Sequence, residues 1–419
     1  MSNGKSLSLP LAFGVVIIVA ILASSLTYYY AALNLPAVTT TITSSTTITS
    51  TTTATQSITM TETSTVTTTK YVTLPPSTTT VTITATHTTA PSGKVITVPR
   101  NDTVAQRLAE FRLKQYVLTA IITWLIWMKS QNTPSLIFHE DPAAALVTTI
   151  TTRLASQDVS ALPPLISKYS IGYTRSLITI RPPQTFSNET CAPVNIVSNA
   201  AEVANISITL EPINSSAIAA KTTSKLPVGG PSTSEGVMVV DKNILRMIGT
   251  SEISAGANVT LVRTLQVLRD NIPVVMNVKF GSIMHEASIN ASNGALIIKM
   301  SGSTIKVIKG VEPALKEILK SLNITVTYDG NDRIAGNVIA PKYRVFMTGN
   351  VRVKVENVTF AIKLNYSGLA YLIGSNVLVF TMNSIDSLQV SVAVGGNTYC
   401  RYLKEPVVTH ARVTAVSVR

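Results

Sequence analysis

The fourteen residues Val351 to Leu364, VRVKVENVTFAIKL, carry the pattern that settles the fold class. Val351, Val353 and Val355 recur every second residue, and so do Val358, Phe360, Ile362 and Leu364, with Arg352, Lys354, Thr359, Ala361 and Lys363 between them. A period of two puts one set of side chains on each face of a strand, so each half reads as a strand with one face buried. Between the halves the apolar phase slips by one residue. A bulge or bend near Glu356-Asn357 would keep both halves facing the same core. Leu388, Val390, Val392 and Val394 repeat the alternation against Gln389, Ser391 and Ala393. Turn chemistry recurs at Asn293-Gly294, Asp329-Gly330 and Gly395-Gly396, each between strand-like runs.

Working back towards the N-terminus, this period-two pattern begins near Ile171. Residues 101–170 read instead as a helical segment. A helix is expected to start near Asn101, with Thr103 and Gln106 forming a capping box, and with Val104, Leu108 and Phe111 at helical spacing against Arg107, Glu110, Arg112 and Lys114. From Tyr116 to Met128 (YVLTAIITWLIWM) it is apolar on nearly every face and too short to cross a membrane, so a central core helix is expected, with a membrane or partner contact as the alternative. Ala143 to Gln157 reads as a second helix, and Asp158 to Tyr169 as a shorter one broken at Pro163-Pro164. Glu312 to Leu322 is a further helix, with Leu315, Ile318, Leu319 and Leu322 on one side. Short strands in hairpin order with helices grouped in front imply an α+β chain whose residues 171–419 form antiparallel, β-sandwich-like sheets. The Ser, Thr, Gly and Pro-rich segment Ala219 to Gly236 is the best internal boundary or long loop.

The first 90 residues are of another kind. Leu11 to Leu33 is uncharged and apolar, long enough to cross a hydrocarbon layer of roughly 30 Å, with Tyr28, Tyr29 and Tyr30 at its far end. Lys5 is the only charge before it, which places residues 1–10 in the cytoplasm and the rest outside. The segment is read as a single-pass transmembrane signal anchor in the cell membrane. A cleaved signal peptide ending near Ala23-Ser24-Ser25 and prepilin-like processing near Lys5 are the alternatives. Residues 38–90 are rich in Thr and Ser, a composition that cannot bury a core, and are expected to form a disordered, O-glycosylated stalk. As a flexible coil it would reach about 40 Å, and as a stiff rod about 160 Å.

The formal net charge is +13, from 34 Lys and Arg against 21 Asp and Glu, and it lies almost wholly beyond the stalk. The cations are scattered singly, with no basic cluster interleaved with aromatics, so no nucleic-acid face is indicated; anionic glycans remain a candidate partner. The two cysteines, Cys191 and Cys400, suggest a disulfide in an exported chain, with two unrelated buried thiols as the alternative. Nine Asn-X-Ser/Thr sequons follow the stalk, at Asn101, Asn188, Asn205, Asn214, Asn258, Asn290, Asn323, Asn357 and Asn365. Chance would supply roughly four, so N-glycosylation is expected.

No stretch matches a dinucleotide-binding glycine motif, a P-loop or a nucleophile elbow. His139, Glu140 and Asp141 form the densest ionisable group and are weak polar-site candidates, but no second His at zinc-ligand spacing accompanies them. His285-Glu286 falls in a strand-like run with its side chains on opposite faces, and His410 on an outer face beside Arg412. Asp329, Asn331 and Asp332 could ligate calcium weakly, though Asp329-Gly330 is better explained as a hairpin turn. No metal, cofactor or catalytic residue is assigned.

Anchor, Thr-rich stalk and sequon-rich β domain, in that order, resemble the membrane-anchored surface glycoproteins of thermophilic archaea. The resemblance is one of architecture and covers the first 90 residues. It implies a structural or adhesive role in the cell envelope, with envelope or surface-layer proteins as partners. The rival expectations are a stalked solute-binding protein of an importer and a surface hydrolase.

Overall fold

The computed structural model describes residues 95–130, 143, 146–147, 150, 165, 167–181, 191–225, 231–241, 244–253, 261–280, 283–374, 376–394 and 396–419, and the backbone of three strands within the threonine-rich stretch. Residues 11–33 and the group at 139–141 lie outside the described residues, as do Asn188 and Asn258. Residues 34–95 make one unit, in which β1 (Thr43–Thr47), β2 (Thr65–Leu74) and β3 (Ser77–Thr86) pair antiparallel in that order. An unpaired stalk was the expectation there. Instead, alternating β-branched residues such as Val81, Ile83 and the threonines around them place this backbone in a ladder.

Residues 96–419 belong to a second compact unit, which is mostly β-sheet with few helices. Its elements are β4 (Ile96–Thr97), α1 (Asp102–Ser130), β5 (Tyr169–Arg181), β6 (Cys191–Pro193), β7 (Asn195–Asn214), β8 (Ala217–Lys225), β9 (Pro231–Asp241), β10 (Ile244–Ile253), β11 (Leu261–Arg269), β12 (Ile272–Phe280), β13 (Ile283–Ile289), β14 (Leu296–Met300), β15 (Ser303–Ile308), α2 (Val311–Ser321), β16 (Leu322–Ala335), β17 (Val338–Val355), β18 (Val358–Leu372), β19 (Leu378–Val394), β20 (Asn397–Tyr402) and β21 (Val407–Val418).

Strands β7 to β15 pair antiparallel in chain order, and β5 joins β7 to β21. β21 also pairs with β19, which continues through β18 and β17 to β16. β20 lies beside the other half of β19 and carries β6 in parallel; β4 lies parallel to the start of β17. The band runs from β15 at one end to β16 at the other, and α2 joins these two end strands in the chain. The chain is β-rich with few helices, as expected, and α1 packs against strands of this band. Residues 219–236 are not a boundary: β8 and β9 pair across them, from Ala217↔Val239 to Lys225↔Pro231.

α1 is central because its second half, from Tyr116 on, leaves almost no polar face to expose. Val117, Leu118, Ile121, Ile122 and Leu125 are all at most 1% exposed, and they share one core with residues of β12 to β19 and α2. Trp124 stacks on Phe360 of β18, centroids 6.0 Å apart. Core packing is thus the answer for the described side chains of this stretch, Trp124 among them. Ala143, Leu146, Val147 and Ile150 are helical and buried in the same core, at the spacing of one helix face. α2 buries Val311, Ala314, Leu315 and Ile318, one side of the helix as expected.

Several local expectations are corrected. The helix cap is Asn101, whose Oδ1 accepts from the Val104 amide 3.1 Å away, and not Thr103, which is exposed on the first turn. Gln106 reaches the sheet instead: its Nε2 donates to the Ile324 carbonyl at 2.8 Å and its Oε1 accepts from the Val326 amide at 3.0 Å, so one side chain satisfies the outer edge of β16. Arg112, grouped with the polar face by spacing, is 2% exposed; its guanidinium lies 4.7 Å from the Phe380 centroid and donates to the Tyr116 hydroxyl. Tyr169 already belongs to β5 rather than to a helix.

The opening stretch is a hairpin and not a bulged strand. Val355 pairs with Val358 across Glu356-Asn357, with Glu356 at φ 51°, so both apolar sets face one core while the chain reverses. Conversely, Asp329-Gly330 is no hairpin turn. It is an irregularity within β16 between Tyr328 and Asn331, with Gly330 at φ 94°, and the reversal falls at Gly336-Asn337. Asn293-Gly294 does lie at a reversal, and β19 and β20 pair back from Val394↔Asn397.

Candidate functional site

The outer face of β16 to β20 is where the polar half of the alternation gathers. Because the register is regular here, outward residues of neighbouring strands fall into rows about 4.8 Å apart across the sheet, with successive rows about 7 Å apart along it. One row runs Asn323, Thr348, Asn365, Ser387 over β16 to β19. The next runs Asn350, Lys363, Gln389, Tyr402 over β17 to β20. Between them the inward row holds Gly349, Leu364 and Leu388. A Cβ at Gly349 would stand 2.8 Å from a Leu322 methyl, so a larger residue there would require that side chain to move.

These two rows, except Asn323, line an open groove of about 680 Å³, with Ser321, Cys191 and Leu403 at its margins. The Cys191–Cys400 disulfide closes one end. It ties β6 to β20 at the register pair Cys400↔Cys191, Cα atoms 4.3 Å apart and 209 residues apart in the chain. Gln389 Nε2 lies 3.4 Å from Cys400 Sγ, so the amide rests on the sulfur and is held at the groove floor. Amides and hydroxyls dominate the lining, Lys363 is its cation, and no carboxylate contributes. Such a surface can both donate and accept hydrogen bonds to neutral polar groups.

Of the sequence-derived candidates, the structure brings Cys191 and Cys400 together as expected. The sequon asparagines are spread over the unit. Asn101, Asn205, Asn214, Asn323, Asn357 and Asn365 are exposed and Asn290 is half-buried. In the strand sequons Asn205-Ile206-Ser207 and Asn323-Ile324-Thr325 the asparagine and the hydroxyl residue are both exposed while the middle residue is buried, as period two requires. At Asn214 and Asn290 the side-chain oxygen accepts from both the amide and the hydroxyl of the serine two residues on.

Asp329 and Asp332 hold cations of their own chain. Arg344 Nε is 3.1 Å and Lys342 Nζ 3.6 Å from Asp329 Oδ2; Lys342 Nζ is 3.0 Å from Asp332 Oδ2, which also accepts from the Tyr371 hydroxyl at 3.0 Å. The Arg344 bond holds the Asp329 carboxyl below the ordinary carboxylate range, and the Lys342 bond does the same for Asp332. A calcium role is therefore replaced by an ion-pair network. Glu286 of β13 pairs with Lys299 at 3.2 Å, and His410 is exposed on β21. Among the described residues no three of His, Cys, Asp and Glu come together, and no helix is long and apolar enough to cross a membrane.

Reading the sequence missed Thr348, Asn350, Lys363, Ser387, Gln389 and Tyr402. Each is an ordinary outward residue of an alternating strand, and only Asn365 carried a motif. Their common signal is the register between four strands, which no single stretch contains. The fold and the groove together define a β-rich domain with an enclosed helix, a cross-linked edge and a polar outer face. No protein-family model matches the chain, and neither a curated protein nor a solved structure matches it.

Proposed function

We propose that this protein is a single-pass, membrane-anchored cell-surface glycoprotein whose β-rich head has a structural or adhesive role in the envelope, without catalysis. The observation that carries the reading is the placement of the sequons: none of the seven described sequon asparagines enters the core, though a polar residue bearing a bulky glycan would have had many buried strand positions to fall into. The disulfide belongs with this, since such bonds persist in oxidising, extracellular surroundings. Leu11 to Leu33 serves as the anchor with the N-terminus in the cytoplasm, and residues 38–90 as the glycosylated stalk that lifts the head from the lipid. Envelope or surface-layer proteins are the partners proposed for its exposed faces.

Mass spectrometry of the protein purified, unreduced, from its native membranes tests this. An uncleaved anchor, glycan mass on stalk peptides and on several sequons, and a Cys191–Cys400 peptide are the expected result. A bare chain recovered from the soluble fraction would remove the reading.

A further inference from the structure

The groove and one sequon occupy the same place. Asn365 stands in the first polar row with Thr348 on one side and Ser387 on the other, and it is the only one of the described sequon asparagines that lines the groove. We propose that the groove is the seat of the glycan carried by Asn365, so that the head packs its own sugar against a face built to take it; this rests on the glycoprotein reading above. In the joining step the Asn365 amide nitrogen bonds to the anomeric carbon of a lipid-pyrophosphate-activated oligosaccharide, losing one proton as the lipid pyrophosphate leaves.

Three features fit this occupant. Thr348, Asn350, Ser387 and Gln389 present hydroxyls and amides, which match sugar hydroxyls in both directions of hydrogen bonding. Tyr402 is 36% exposed at the end of the second row, leaving an aromatic face for the apolar side of a pyranose ring. With Lys363 as the lining's cation and no acidic group, the groove suits a neutral or weakly anionic chain and opposes a cationic one. Its volume of about 680 Å³ is that of an ordinary small-ligand site, so the first few sugars, and not a whole polysaccharide, are held.

The test has two arms on the full-length protein from its native host. Glycopeptide mass spectrometry first reads occupancy: sugar on Asn365 is expected. Other sequons modified with Asn365 bare overturns this proposal and leaves the glycoprotein reading intact, whereas no sugar at any sequon removes both. The second arm is a thermal double-mutant cycle. Ser367→Ala abolishes the sequon and keeps Asn365, while Gln389→Ala and, separately, Tyr402→Ala remove groove contacts. Each groove variant is expected to lower Tm by about 2 °C or more beyond its effect in the Ser367→Ala background. Equal shifts in the two backgrounds would mean the glycan does not touch the groove, and the proposal falls. Ser367→Thr, which preserves the sequon, should behave as wild type. A free oligosaccharide that raises Tm only in the Ser367→Ala protein would be filling the vacated seat and supports the assignment; one that raises it equally in wild type shows an empty groove and overturns it.

Discussion

Tyr366 is wholly enclosed, and its hydroxyl donates to Asn383 Oδ1 across β18 and β19, where burial pushes the phenol far above its usual range. Gly368, two residues on, exists to make room for that hydroxyl: a Cβ there would sit 2.6 Å from it and 3.2 Å from the Met382 carbonyl. Tyr366→Phe leaves a buried acceptor unpaired and should cost about 1–3 kcal/mol in denaturant unfolding. The network at Asp329 and Asp332 makes a different demand. Their carboxyls ionise below the unfolded-state value of about 4, so their contribution to stability is present above that pH and is lost as pH falls through the lower folded values. The Asp329→Asn, Asp332→Asn double variant is therefore expected to show a shallower fall of Tm between pH 5 and pH 2 than wild type. An unchanged slope would show that these pairs are screened out in solution.

At the level of the elements, α1 shows how a local reading can place a helix correctly and still assign its groups to the wrong partners. Both Asn101 and Thr103 are capping residues by type, and the Thr103 to Gln106 spacing favours the latter. Tertiary contact decides, because Gln106 is drawn away to bond the Ile324 and Val326 backbone, leaving Asn101 to cap Val104. Asn101→Ala should thus destabilise the head by about 1 kcal/mol, while Thr103→Ala should have a smaller effect. Since either change destroys the same sequon, the difference between them reports the cap alone. The hairpin at Glu356-Asn357 follows the same logic. A bulge and a two-residue reversal produce the same phase slip in the sequence, and Glu-Asn lacks the glycine that marks such turns. What distinguishes them is whether Val351 to Val355 finds its partner in the next residues of the chain, and it does, over fourteen register pairs between β17 and β18.

For the molecule as a whole, the Cys191–Cys400 bond closes a loop of 209 residues and ties the edge pair β6 and β20 at one end of the groove. Replacing both cysteines by serine should lower stability by at most about 5 kcal/mol, read as a fall in Tm, because the unfolded chain regains the entropy the cross-link removed. The bond also holds together what would otherwise be a three-residue strand, β6, lying parallel on β20 with little ladder of its own.

Composition and periodicity sufficed for the β-rich class, the buried helix around Trp124 and the amphipathic α2, because each depends on how apolar side chains recur along one short stretch. They sufficed also for the pairing of two cysteines, since only two exist. The packing of the band against α1, the cap at Asn101, the bulge at Gly330 and the groove beneath Asn365 depend instead on which strand lies beside which, and in what register. Those choices are made by hydrogen-bond ladders and core packing between residues more than 200 positions apart, such as Tyr169 and Val418. No local pattern encodes them, and the groove, lined by one to three residues of each of β17 to β20, appears only once all four are in place.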